Sequence, residues 1–199
     1  MKHTLRIYHK KLTARIRGFT LIETLVAISL LSIAIVAPMS LTSQSLSAAY
    51  YARDQITAFN LAQEGLEAVR AIRDGQILQI SRTADASAID LFGAIPVNQD
   101  FTIDSRVSDP AQAMHVCPST GCPPLQTDGE LYGYDADTIN WPLTNFTRTL
   151  HANYVGASRD EIRLAVTVSW PTNSRQIRTF TIFENLYRWV NDGSASAAS

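Results

Sequence analysis

The sequence predicts an α+β fold in which one long N-terminal α-helix packs against an antiparallel β-sheet of about four strands. Three observations predict it. An unbroken apolar run covers residues 19–41, helical periodicity follows over 54–73, and strand-like alternation occupies the remainder, most clearly at 162–170.

The run FTLIETLVAISLLSIAIVAPMSL contains one ionisable residue, Glu23. At 1.5 Å per residue, a helix of about 23 residues covers the ~30 Å hydrocarbon core of a bilayer. A soluble helix of that length would show a polar stripe, and this one offers little besides Thr and Ser. Beyond Pro38 the pattern changes. Ile56, Phe59, Ala62, Leu66, Val69 and Ile72 recur at steps of three or four, while Glu64, Glu67, Arg70 and Arg73 occupy other faces. Glu67 and Arg70 are spaced to pair at i,i+3. The simplest arrangement is one helix of about 55 residues, roughly 80 Å long. Residues 19–41 form its transmembrane half and 42–75 its amphipathic half. Pro38 is expected to kink it, Gly65 to weaken it, and Asp74-Gly75 to end it.

The body over 76–190 reads as a β-rich domain. Phe101, Ile103 and Val107 alternate with Thr102, Asp104 and Arg106. Over 146–155, Phe146, Leu150, Ala152 and Tyr154 share one face and Thr147, Thr149, His151 and Asn153 the other. Ile162, Leu164, Val166, Val168 and Trp170 alternate without a break, and Pro171-Thr172-Asn173-Ser174 turns the chain into a last strand over about 175–183. Such alternation implies antiparallel strands with one buried face, and the apolar side of the 54–73 helix is the obvious cover. Residues 110–142, rich in Pro and Gly, read as a long irregular loop, and 191–199 as a flexible tail.

Charge is distributed unevenly. Lys2, Arg6, Lys10, Lys11, Arg15 and Arg17 precede residue 18 with no acid among them, leaving 11 of the 17 basic residues against all 18 acidic ones. The basic group is a local signal, predicting that residues 1–18 stay cytoplasmic while the rest is exported. A mildly acidic body gives no basic patch for nucleic acid.

At the junction of the two, residues 17–23 read Arg-Gly-Phe-Thr-Leu-Ile-Glu. This stretch, with its basic leader and apolar helix, resembles the prepilin cleavage and methylation motif of type IV pilins and type II secretion pseudopilins. The resemblance implies a pilin-like fold and a structural role, with 1–18 as a leader peptide. It implies a prepilin peptidase that cuts after Gly18 and methylates Phe19, and it makes Glu23 the assembly residue. LAQEGLEAVRAIRD, within 54–73, is similar in pattern to PilV-class minor pilins. The implied partners are the peptidase/methyltransferase, other filament subunits contacted through the helix, and the membrane. An inner-membrane, single-pass precursor would then become part of a surface or periplasmic filament. The charge argument agrees with the family. A carboxylate inside an apolar helix costs about 2.5–3.5 kcal/mol on insertion scales, so Glu23 is a functional candidate by default. Cleavage would create an amine at Phe19 that a neighbouring Glu23 could neutralise. A secretory signal peptide is the competing reading, but its shorter apolar core would not carry Glu23.

Cys117 and Cys122 enclose Pro-Ser-Thr-Gly, and export favours a disulfide there over free thiols. Zinc held by His115, Cys117, Cys122 and His151 would need a spacing that fits no standard site. Asp128, Glu130, Asp135 and Asp137 are candidate calcium ligands, although they lack the ordered EF-hand pattern and read more simply as a solvated turn. His151 is expected to face solvent. No phosphate loop, nucleophile elbow or HExxH is present, so neither catalysis nor a cofactor is expected. The alternative to a filament subunit is a membrane-anchored binding module that uses the 110–142 loop.

Overall fold

The computed structural model describes residues 18–82, 90–134, 141–157, 159–173 and 176–188. The leader up to Arg17, the calcium candidates Asp135 and Asp137, and the 191–199 tail lie outside these residues. The architecture is α+β and pilin-like, with a long N-terminal helix and an antiparallel sheet. Helix α1 (Leu21–Arg82) contributes to two compact units, residues 1–49 and 50–199.

In the first unit, α1 is apolar on every side. Its large apolar side chains are all exposed, from Leu21 at 82% down to Val26 at 46%. The hydroxyls that interrupt the run bond within the helix itself. Thr24, Ser29, Ser32 and Thr42 donate to the carbonyls of Leu21, Val26, Ile28 and Pro38 at 2.8–2.9 Å. Such back-bonding gives these four donors partners without water, as suits a helix surrounded by lipid. The helix is long and apolar enough to cross a membrane, and it passes through Pro38.

In the second unit, Ala58, Leu61, Ala62, Leu66, Val69, Ile72 and Ile80 bury one stripe of α1. Their spacing is that of a single helical face. Ala62, Leu66, Val69 and Ile72 of the expected stripe are buried, but its first two members are not, since Ile56 is 62% exposed and Phe59 41%. Phe59 instead meets the edge of the Phe180 ring, with centroids 5.6 Å apart. The helix also outlasts its expected end at Asp74-Gly75. Gly75 permits a left-handed cap but does not impose one, and continuing the helix buries Ile80 to 3% exposure.

The sheet has five strands, in the order β2-β1-β5-β6-β7, and every pairing is antiparallel. These are β1 (Asp100–Ile103), β2 (Met114–Val116), β5 (Thr147–Tyr154), β6 (Glu161–Asn173) and β7 (Gln176–Tyr187). The strand beyond the expected four is β2, whose three residues are too short to show alternation. It follows a one-turn helix, α2 (Pro110–Ala113), that Asp109 caps and Pro110 opens. A small ribbon of β3 (Gln126–Thr127) and β4 (Tyr132–Gly133) lies further along, so 110–142 is less irregular than expected. The first strand is shorter than its alternation suggests, because the chain turns at Asp104 and leaves Val107 outside it.

Alternation along β6 holds from Ile162 to Trp170, with Ile162, Leu164, Val166, Val168 and Trp170 at 0–3% exposure. Pro171 sits beyond Ser169, the last β6 residue paired with β5, so its missing N–H breaks no ladder on that side. Leu91, Phe92 and Ile95 add to the core from the segment before β1.

Candidate processing and assembly site, and the contacts that hold the domain

Helix α1 begins with a cap. Thr20 lies just outside it, and its Oγ1 accepts from the amide of Glu23 at 3.3 Å. Thr20-Leu21-Ile22-Glu23 therefore has the spacing of a capping box, with Glu23 at the third helical position near the positive end of the macrodipole. The signal was legible as Thr-x-x-Glu ahead of an apolar run. Gly18 and Phe19 precede the helix in exposed chain, Phe19 at 78%. The next charged residue after Glu23 is Arg53. The three residues of the expected site are thus adjacent along an accessible junction, and no group other than Glu23 carries charge along the apolar run.

A different polar site was not legible from the alternation of 146–155, which passes over Arg148. Arg148 is in phase with Leu150 and Ala152 and is fully buried on the core face. Its Nη1 donates to the carbonyl of Leu61 on α1 at 3.0 Å and its Nη2 to that of Ile103 on β1 at 2.7 Å. Glu64 supplies the counter-charge at 3.5 Å and also accepts from the Ser105 hydroxyl. Gly65 makes room for the side chain, since a Cβ there would stand 3.0 Å from Arg148 Cδ. A charged residue inside an otherwise apolar strand face was the available signal. Nearby, Arg70 pairs with Glu67 as its spacing predicts, and its Nε also donates to Glu184 of β7 at 2.6 Å.

The loop after β1 is built around Asp104, which is 4% exposed. Burial pushes its carboxyl upward, but the Arg106 guanidinium and the amides of Tyr134 and Arg106 outweigh that and hold it below the usual carboxylate range. The Arg106 contacts are bidentate, at 2.9 and 2.6 Å. The guanidinium stacks over Trp141, 4.4 Å from the ring centroid, and packs so closely on Gly133 that a Cβ there would lie 2.6 Å away. Tyr134 donates to the Arg148 carbonyl at 3.3 Å, and burial pushes its phenol up to about 12.

Cys117 and Cys122 form a disulfide, with Cα atoms 4.8 Å apart, just after β2. The zinc alternative is therefore excluded in this oxidised state. His151 lies on the outer sheet face and its Nδ1 meets Asp100 Oδ1 at 2.6 Å. Asp128 Oδ1 accepts from the amides of Glu130 and Leu131 at 2.9 and 2.7 Å, contacts that lower its pKa. That oxygen is thus engaged in closing a turn. Among the described residues no three metal-ligating side chains gather.

Residues 13–37 match the family described as the prokaryotic N-terminal methylation motif. No curated protein and no solved structure matches the chain. The matched segment runs from the basic leader through the Gly18-Phe19 junction and Glu23 into the apolar helix. It is the signature of a generally structural family, and it supports the resemblance to type IV pilins and pseudopilins that residues 17–23 carry.

Proposed function

We propose that the chain is a minor structural subunit of a type IV pilus or a type II secretion-like filament. In this reading prepilin peptidase cuts after Gly18 and methylates the new amine of Phe19. The precursor rests in the inner membrane as a single-pass protein with residues 1–18 in the cytoplasm. Assembly then draws 19–41 into the filament, where packing between helices replaces contact with lipid. The observation that carries the proposal is the matched junction, where an exposed Gly-Phe bond opens a helix that is apolar all round. Residues 76–190 would be the exported domain that the helix displays.

Glu23 is assigned to register between subunits. It is the one acid of the apolar run and lies about one helical turn from Phe19, so it can neutralise the terminal amine of a neighbour. Its place in the capping motif supports a second effect, stabilising the first turn of its own helix.

Mass spectrometry of the mature N-terminus tests the proposal. N-methylated Phe19 is expected, whereas an intact Met1 or a cut near residue 48 would overturn it. Glu23→Ala should be cleaved normally yet fail to enter filaments. A variant that is incorporated normally would remove Glu23 from assembly and favour the permanently anchored binding module.

A further inference from the structure

We propose that Glu64, Gly65 and Arg148 form a register lock, selecting one axial position of α1 against the sheet. The inference starts from the stripe that α1 buries. Ala58, Ala62 and Gly65 supply almost no relief, so the axial position rests on a few larger side chains such as Leu61, Leu66 and Val69. A slip by three residues would place Leu61, Val69 and Ile72 where Ala58, Leu66 and Val69 now sit. It would also place Glu67-Ala68 where Glu64-Gly65 now sits. Those three positions stay apolar after such a slip, although Gly75 would replace Ile72, and an acid stays beside the arginine.

What does not survive is the fit around Arg148. Ala68 would bring a methyl group to the position where a Cβ stands 3.0 Å from Arg148 Cδ and 3.4 Å from Val166 Cγ1. Glu64 would move into the buried place of Leu61. The arginine reads the helix from both sides of this notch, through the Leu61 carbonyl at 3.0 Å and the Glu64 carboxylate at 3.5 Å. Its other hand holds the Ile103 carbonyl at 2.7 Å, which ties the same register to β1. A fully buried cation with only one half-exposed counter-charge contributes little net stability, and its best-attested use is specifying one arrangement among several. Gly65 fits the same account. In an open helix it is inferior to Ala, and here its lack of a side chain is what admits the arginine.

Paired cysteines in the full-length chain, solubilised in detergent, test the lock. Phe59→Cys with Phe180→Cys reports the observed register, because those rings are 5.6 Å apart. Ala62→Cys with Phe180→Cys reports the slip by three. With Gly65 and Arg148 intact, only the first pair should cross-link. Adding Gly65→Ala or Arg148→Met should raise cross-linking of the second pair about tenfold while the domain stays folded, Met being an apolar residue of similar reach. Cross-linking confined to the first pair in both backgrounds would overturn the proposal. So would an Arg148→Met chain that no longer folds, since the arginine would then maintain the fold itself. A Gly65→Ala chain with a raised thermal midpoint, as in an open helix, would overturn it as well.

Discussion

The two stretches of α1 on either side of Tyr50 obey different rules within one helical element. Before it, apolar residues appear on every side, hydroxyls bond back to their own helix, and Glu23 is the one charge. After it, one stripe is buried against a sheet while the other faces carry Arg53, Glu67, Arg70 and Arg73. The difference shows that helix formation and helix environment are separate properties. Backbone bonding makes both stretches helical, and side-chain patterning decides which solvent each can meet.

The comparison breaks most visibly with a truncation in each environment. Leu164→Ala removes a fully buried side chain facing α1 and should lower the stability of the domain by about 2–5 kcal/mol in thermal or denaturant unfolding. Leu25→Ala, at a 58% exposed position of the apolar stretch, should leave that unfolding transition in place and weaken membrane partition instead. Equal losses of domain stability would show that the two stretches do not differ as described.

Asp104 offers a pH test confined to the domain. Its folded pKa is lowered, so its contribution is complete above the unfolded value near 4 and is lost as pH falls through the folded one. Asp104→Asn should cost about 1.5–3 kcal/mol at neutral pH, and the difference from the parent chain should shrink below about pH 4. A constant difference across that range would assign the loss to packing.

Cys117→Ser with Cys122→Ser should cost about 2 kcal/mol or less, because the loop that the bond closes is short. The change should appear in proteolysis of the β2–β3 segment before it appears in the unfolding midpoint. The smallest effect is expected at the start of α1. Thr20→Ala removes the acceptor for the Glu23 amide and should cost about 1 kcal/mol of local helix stability, read as faster amide exchange over the first turn.

The long helix, the alternating strands and the final hairpin were legible because each is a local pattern with a period of its own. Phe19 to Glu23 was legible for the same reason, as a contiguous motif. Arg148 was harder to place, because its phase with Leu150 and Ala152 puts it on the buried face without saying which groups meet its charge. Similarly, β2 is three residues long, and the end of α1 depended on whether Ile80 found a core. That Ala58 and Leu61 rather than Ile56 and Phe59 begin the buried stripe also required knowing where the sheet lies.

By itself, then, the sequence determined the long helix and the longer strands, which helix half suits lipid, and where the methylation motif lies. All follow from short-range spacing, hydropathy and charge order. Tertiary structure alone decided that Gly65 admits an arginine, that Glu64 and two carbonyls meet its terminal nitrogens, and that Asp104 organises the loop after β1. Apart from Arg106 beside Asp104, those partners are separated by tens of residues, and the free energy of a buried charge depends on which groups surround it in space.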